Sequence, residues 1–319
     1  MEPDFHNNMA SLSDDMHLDW LKILASENIK RIDEAVHTDR IFNTTNVIEY
    51  IFTICVRLRL PQEVKYSAAL IFDKFMLEHT QQLYEFIYES ERSVSEKHRE
   101  WNRVEATLSR QLTLRILSAI QIASKLHSYH DSLSRKTVKL CLQTLGFAYT
   151  EESVMRSEIR VLTTINWQIS YHCTPLIYVE SLLKLLEVHW TTKFDVQAYW
   201  QYALLIMDCV FLYWDEIYKR MLINVLGEVG QNVQRERLCR VQADWLLLGN
   251  GIIATAANCV DGMEAAEKVI VELQAISGTP LADITDVCVA ITESITEKQK
   301  SLNIHDSDND EIHTAWLNS

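Results

Sequence analysis

The sequence predicts an all-α protein, because turn-forming residues are scarce and apolar residues recur at helical spacing. Seven glycines and four prolines make up 11 of the 319 residues, whereas about 12% would be average. Both residue types interrupt helices, so their scarcity favours long helices joined by short connections. The spacing is clearest in residues 43–59, where Val47, Ile51, Ile54 and Leu58 would share one face of a helix.

The overall composition limits the possible classes of protein. The length suits two domains of common size, and 48% hydrophobic residues is ordinary for a folded chain. With a net charge of −14 and no run rich in lysine and arginine, we expect no direct binding of nucleic acid. No apolar run reaches the roughly 18 residues of a membrane span, and the acidic N-terminus lacks the apolar core of a signal peptide.

The sequence contains no pattern of catalytic or metal-binding residues. The seven cysteines lie far apart without a Cys-x-x-Cys pair, which predicts buried, reduced thiols in the cytosol or nucleus and not a zinc site. A glycine-rich phosphate loop and a Gly-x-Ser-x-Gly motif are both missing. His127 and His130 lack a third ligand at metal spacing, and a surface loop explains them better. We therefore expect no catalytic residue, no metal and no cofactor.

The first third of the chain predicts three helices. Residues 1–16 are expected to be disordered, and residues 18–36 form an amphipathic helix. Helices are predicted over 43–59 and 62–78, with Pro61 at the first-turn position that proline favours. The stretch 89–110 alternates in charge and contains few large apolar residues, so it is either a solvated helix extension or a mobile loop. The longer stretch 78–111 is either a partner surface or a spacer, and spacer is slightly favoured.

The central helix of the first half is predicted over residues 112–127. It is apolar on almost every face, so other helices must enclose it. Ser134 can cap a following helix that Gly146 ends. Thr150 caps the next one, whose first-turn carboxylates Glu151 and Glu152 suit the helix dipole.

A second half begins at Thr174-Pro175. Helices are predicted over 176–188, 196–223, 243–260, 262–276 and 281–298, followed from residue 303 by an acidic, disordered tail. The aromatic residues between Trp200 and Trp214 are either an exposed binding patch or core, and core is favoured at helical spacing. Both halves contain a wholly apolar helix followed by two amphipathic ones, which indicates a weak internal duplication.

Two short motifs give the chain a resemblance to the cyclin family. Ala123-Ser124-Lys125 matches the Ala-Ser-Lys at the end of the central helix of the cyclin box, and Glu158 matches the glutamate of its Arg-Met-Glu. The resemblance covers residues 47–169, and it is greatest to a cyclin branch associated with meiotic crossover maturation. It implies tandem five-helix cyclin folds: an N-terminal extension (1–40, partly disordered, with one helix), an N-terminal cyclin box (41–172), a divergent second cyclin-like domain (173–300) and an acidic tail (301–319).

The resemblance also implies a partner-binding site. In cyclins the equivalents of Lys125 and Glu158 form a pair at the edge that contacts the kinase. Leu126 and Tyr50 complete the set of expected partner-binding residues, Tyr50 standing where the family has tryptophan. A carboxylate among Val154, Val161 and Leu162 would be partly desolvated and would need a cation or N–H donors, which Lys125 can supply. A purely structural ion pair is the alternative.

The chain also departs from the family pattern. Polar residues occupy most of 43–47, where typical cyclins have the apolar Met-Arg-Ala-Ile-Leu patch that docks substrates, and Leu126-His127-Ser128 replaces the acidic residues common after Ala-Ser-Lys. Two functions therefore remain open, neither of them enzymatic. One is a regulator that binds a cyclin-dependent kinase in meiotic recombination. The other is a scaffold that binds recombination or clamp-loader proteins. The resemblance implies a nuclear, chromosome-associated location, with a cytoplasmic one as the alternative.

Overall fold

The computed structural model describes residues 14–35, 42–128, 132–169, 174–190, 195–227 and 231–317, without the side chains of 14, 231–236 and 301–317. Within these residues there are thirteen helices and no strand, so the all-α prediction is confirmed. The chain divides into two compact units. Of the described residues, unit 1 contains those from 42 to 174, and unit 2 contains 14–35 together with 175–317.

Unit 1 consists of five helices arranged around one buried helix. They are α2 (Thr45–Arg57), α3 (Gln62–Tyr88), α4 (Val94–His127), α5 (Arg135–Thr144) and α6 (Glu151–Thr164). The other four all pack against α4, whose residues 116–124 are buried on every face. The predicted caps are present, since Ser134 and Thr150 accept hydrogen bonds from the backbone N–H groups of Thr137 and Ser153.

From residue 94 onward the charged stretch 89–110 is a helix extension, so for this part the mobile-loop alternative is wrong. Helix α4 already begins at Val94, where Ser93 and Glu96 form a reciprocal capping box. On α3, Tyr84 and Tyr88 stack with ring centroids 4.2 Å apart, and Trp101 of α4 meets Tyr84 edge-on at 5.5 Å. These aromatic contacts hold the C-terminal part of α3 against the N-terminal part of α4, where few aliphatic side chains are available for packing.

Two histidines of unit 1 are expected to make its stability depend on pH. His79 stacks on Phe75, and burial, with smaller contributions from Arg115 and Arg160, lowers its pKa to about 4. His127 ends α4 with its Nε2 2.9 Å from Ser67 Oγ, and burial lowers its pKa to about 4. The expected surface loop for His127 is therefore wrong, because Ser67 holds its ring against α3; His130 lies outside the described residues.

Lowering the pH from 6.5 to 4 is predicted to cost unit 1 about 2 kcal/mol per histidine. Both pKa values are depressed in the folded state, so in this window the unfolded chain, with a histidine pKa of about 6.5, binds more protons. The measurement is urea unfolding at a series of pH values. His79→Gln should flatten the pH slope, whereas His98→Gln, at an exposed position of α4, should leave it unchanged. An equal slope in both variants would contradict the assignment.

Unit 2 contains eight helices among the described residues. Seven of them follow residue 173, two more than the five expected there, and the eighth is the helix of the expected N-terminal extension. They are α1 (Asp14–Glu34), α7 (Pro175–His189), α8 (Val196–Leu212), α9 (Trp214–Leu226), α10 (Gln231–Ala243), α11 (Trp245–Asp261), α12 (Met263–Ser277) and α13 (Leu281–Leu317). The centre is α11, which packs against α7, α8, α12 and α13. Its residues 245–257 are buried without interruption.

The structure differs from the sequence-based helix assignments at three places in unit 2. The single helix predicted over 196–223 is two helices, because the backbone leaves helical geometry at Tyr213 (φ −118°, ψ 30°) and Phe211, Trp214 and Tyr218 then pack together. Helix α10 was not predicted because its polar sequence has no clear apolar face. Helix α13 continues through the expected disordered tail, where no glycine or proline stops it.

The aromatic residues of α8 and α9 belong mainly to the core, as predicted. Tyr199, Trp200, Phe211, Trp214 and Tyr218 are all buried, whereas Tyr202 is exposed. The described cysteines form no disulfide. Three of them are buried, but Cys259 is exposed, so the expectation of burial does not hold for every thiol; Cys173 lies outside the described residues.

Helix α1 is joined to the rest of unit 2 through Asn28. Its side-chain oxygen accepts from the backbone N–H of Trp245 (2.9 Å), and its amide donates to Asp244 Oδ1 (2.8 Å). Asp244 itself caps α11 by accepting from Leu247 N–H. Beside it, the guanidinium carbon of Arg31 lies 3.6 Å from the ring centroid of Trp245. Asn28 thus supplies an acceptor to the N-terminus of α11 from a distant part of the sequence.

Asn28→Ala is predicted to lower the free energy of unfolding by about 2 kcal/mol, because it leaves buried polar groups of α11 without their partner. Urea unfolding followed by circular dichroism measures the change. The control is Glu27→Ala, at the preceding and exposed position, which should change stability by less than about 0.5 kcal/mol. A loss no larger than that of the control would mean that Asn28 does not anchor α1.

Candidate partner-binding edge

The end of α4 positions the Ala-Ser-Lys motif, and each of the three residues has a distinct environment. Ala123 is fully buried, which suits the close packing of other helices around α4. Ser124 Oγ accepts from Leu133 N–H at 3.0 Å, and Gln121 donates to the Leu133 carbonyl at 3.2 Å. The motif therefore fixes the point at which the chain returns toward α5, and directs Lys125 away from the buried part of α4.

Lys125 and Glu158 form an ion pair between the end of α4 and the middle of α6. The side chain of Glu158 is 13% exposed and that of Lys125 is 35% exposed. The glutamate side chain is thus largely withdrawn from water, while about a third of the lysine side chain remains exposed. A partly covered pair of this kind can offer further donors and acceptors to a second protein.

The other two predicted site residues also lie in unit 1. Leu126 follows Lys125 and is half-buried, and Tyr50 is half-buried on α2, which packs against α4. Among the four predicted site residues, as far as the described residues show, only Lys125 and Glu158 are joined by a direct side-chain bond. Leu126 and Tyr50 are therefore expected to contribute contact surface instead of charge.

Two exposed apolar residues on or after α6 were not among the predicted site residues. Ile159, next to Glu158, is 46% exposed. Trp167 lies beyond Thr164, the last residue of α6, and is 61% exposed. It also has a left-handed backbone, with φ at +59°, a conformation uncommon for a bulky residue. The sequence shows that both side chains are large and apolar, but it does not show that they are exposed.

Residues 43–47, which stand at the position of the substrate-docking patch, are mostly polar, and residues 44–46 are exposed to solvent. Thr44 precedes α2 without a side-chain capping bond, and Thr45 and Asn46 are exposed. Asn43 is buried. This segment therefore presents no apolar surface comparable to the docking patch of typical cyclins.

The described residues show no sign of two other kinds of site. No group of three or more His, Cys, Asp or Glu side chains among them is arranged to hold a metal ion. None of the helices in the described part of the chain is both long and apolar enough to cross a membrane.

Five helices around a buried central helix, with the Ala-Ser-Lys lysine paired to a glutamate of the fifth helix, define the cyclin class of protein. The family model of the cyclin N-terminal domain matches residues 32–170. Human cyclin N-terminal domain-containing protein 1 is 31% identical over 274 residues, 86% of this chain and 82% of the human protein. The mouse protein of the same name is 30% identical over 269 residues, 84% of this chain and 80% of the mouse protein. The chain belongs to the cyclin family, in the group of cyclin N-terminal domain-containing protein 1.

Proposed function

We propose that this protein is a non-catalytic, cyclin-like regulator that binds a cyclin-dependent kinase through the edge containing Lys125 and Glu158. The observation that carries the proposal is the partly covered ion pair at the end of α4. Glu158 orients the lysine, and the lysine has three donors, of which the pair uses one. The remaining donors suit backbone carbonyl oxygens of a partner. Leu126, Tyr50 and the exposed Ile159 would supply apolar contact.

Binding at this edge would act on the kinase by population shift. A regulator that contacts the active position of a mobile helix more strongly than its inactive position moves the equilibrium toward the active state. Such a mechanism needs no catalytic group on the regulator, in keeping with the regulatory role of cyclin-domain proteins.

The biological setting of the proposal comes from similarity. The chain resembles a cyclin branch associated with meiotic crossover maturation, so we place the protein in meiotic recombination, in the nucleus and on chromosomes. The sequence contains no evident basic targeting run, which is consistent with entry alongside a partner. A cytoplasmic location is the alternative.

A cyclin-fold scaffold without kinase activation is the second candidate. The polar, exposed residues Thr45 and Asn46 at the position of the docking patch favour it. A scaffold would bind recombination or clamp-loader proteins and would have no need of a substrate-docking surface.

Size-exclusion chromatography of the full chain with purified cyclin-dependent kinases and, separately, with a clamp-loader complex tests both candidates. The regulator proposal expects a kinase to co-elute and its activity to rise on addition of the chain. Co-elution of the clamp loader without any kinase would favour the scaffold. If a kinase binds but its activity does not rise, binding stands and activation fails.

A further inference from the structure

Unit 1 contains an open groove, about 560 Å³ in volume, between the middle of α4 and one face of α6. Three arginines line it: Arg115 from α4, and Arg156 and Arg160 from α6. The same groove carries the hydroxyl groups of Tyr149, Ser153 and Thr163. None of the described residues that line this arginine groove has a carboxylate, although the whole chain carries a net charge of −14.

Arg115 is held in place by neutral groups. Its guanidinium donates to Ser157 Oγ at 2.8 Å and to Gln111 Oε1 at 2.9 Å, and lies over the ring of Phe75. Its Nε is buried without a hydrogen-bond partner among the described residues. Burial and, second to it, the charge of Arg160 lower the pKa of Arg115. This guanidinium is thus fixed and partly desolvated, with its charge uncompensated by any carboxylate in the groove.

The two arginines of α6 add charge on the same face. Arg156 and Arg160 are four residues apart, so they are neighbours on the helix surface, and like charges at this spacing repel. Glu152 pairs with Arg156 at 3.0 Å, but this pair is highly exposed and therefore weak. Arg160 is exposed and forms no ion pair in the described part of unit 1. Three guanidinium groups thus share one weak counter-ion.

We propose that the arginine groove binds a phosphorylated serine or threonine side chain of a partner protein. Arginine forms bidentate hydrogen bonds to phosphate, and the hydroxyl group of Ser153 lies in the same groove. A phosphate monoester carries a charge of about −1.5 to −2 at pH 7, more than a carboxylate or a phosphodiester, and so best offsets three clustered cations. Nucleic acid fits less well, because its binding needs an extended basic stripe on a chain that is instead strongly acidic.

The groove adjoins the proposed kinase contacts at Ile159, but Lys125, Leu126, Glu158 and Tyr50 lie outside it. A regulator with such a groove would recruit partners only after they have been phosphorylated. Recognition of phosphorylated partners could select substrates in place of the apolar docking patch, since residues 43–47 at that position are mostly polar.

Fluorescence anisotropy of the full chain tests the proposal. The probes are a fluorescein-labelled pentapeptide with a central phosphoserine, the same peptide unphosphorylated, the same peptide with glutamate in place of phosphoserine, and a labelled 20-nucleotide single-stranded DNA. The phosphopeptide should bind at least about tenfold more tightly than the other three, because only it presents a dianion to the arginines. Inorganic pyrophosphate should compete with it, and added salt should weaken binding.

Arg160→Gln should weaken phosphopeptide binding by about tenfold, since it removes one charge-assisted contact. Arg156→Gln provides a second variant at an equally exposed position. The matched control is Arg103→Gln, which lies on α4 outside the groove and, like Arg156, is exposed and paired with a carboxylate. Helicity and melting are compared for all three. Equal binding by Arg160→Gln, Arg156→Gln and wild type, absence of phosphopeptide binding, or tighter binding of the DNA would each overturn the proposal.

Discussion

If the proposed kinase contact is correct, we expect the Lys125→Glu variant to bind the cyclin-dependent kinase about a hundredfold more weakly than the wild-type chain, because a largely desolvated carboxylate is left facing a second one. Glu158 is 13% exposed, so neither water nor a new partner easily replaces the lysine. The proposed contacts of the lysine with the kinase are lost at the same time. Titration of the kinase by isothermal calorimetry measures the change.

A charge-swapped double variant separates a partner-binding role from a purely structural one. Lys125→Glu combined with Glu158→Lys restores an ion pair between α4 and α6, and should recover most of the melting temperature. If both residues contact the kinase, binding stays weak in the double variant because donors and acceptors have exchanged places. Recovery of binding along with stability would mean that the pair only supports the fold. Lys97→Glu, at the other end of α4, serves as the control for a change of net charge.

Gly251→Ala is expected to destabilise unit 2 by about 3 kcal/mol, although alanine normally favours a helix over glycine by about 1 kcal/mol. A Cβ at this position would stand 2.3 Å from Val287 Cγ1 and 2.8 Å from Val287 Cβ. Val287 is buried, and its branched side chain is too short to swing away. Helices α11 and α13 would have to separate, and urea unfolding measures the cost.

A smaller residue at position 287 tests whether the clash with Val287 causes the destabilisation. Val287→Ala alone removes buried methyl groups and should also destabilise unit 2. The double variant Gly251→Ala with Val287→Ala should be more stable than the sum of the single changes by at least about 1 kcal/mol. Gly249→Ala is the milder comparison, since its nearest neighbour, Tyr178 Cβ, would be 3.2 Å away. Strict additivity of the two changes would exclude the steric explanation.

Local signals explain why most helices of unit 1 were predictable. Ser134 and Thr150 are good capping residues, and Gly146, with φ at +86°, ends the helix between them in a conformation that glycine adopts readily. The buried centre of α4 follows from its uninterrupted apolar sequence. The start of α4 at Val94 also has a local signal, the capping box of Ser93 and Glu96, whereas the contact of Trp101 with Tyr84 depends on the packing of α3 against α4.

Unit 2 was less predictable because its features depend on distant residues. Nothing local in the sequence at Tyr213 breaks the helix, and the separation of α8 from α9 accompanies the packing of Phe211, Trp214 and Tyr218. Helix α1 looked like a separate extension, yet Asn28 bonds to residues more than 200 positions away. The polar helix α10 likewise had no apolar pattern by which to recognise it.

The sequence by itself determined the all-α class, the cyclin resemblance and the two residues of the ion pair, because apolar spacing, capping residues and short motifs act over a few neighbouring positions. Tertiary structure alone decided the exposure of Trp167, the grouping of α1 with unit 2, and the arginine groove. Arg115 and Arg160 are 45 positions apart and neither belongs to a motif. They face one groove only because α4 packs against α6, and such long-range packing is not encoded in any local pattern of residues.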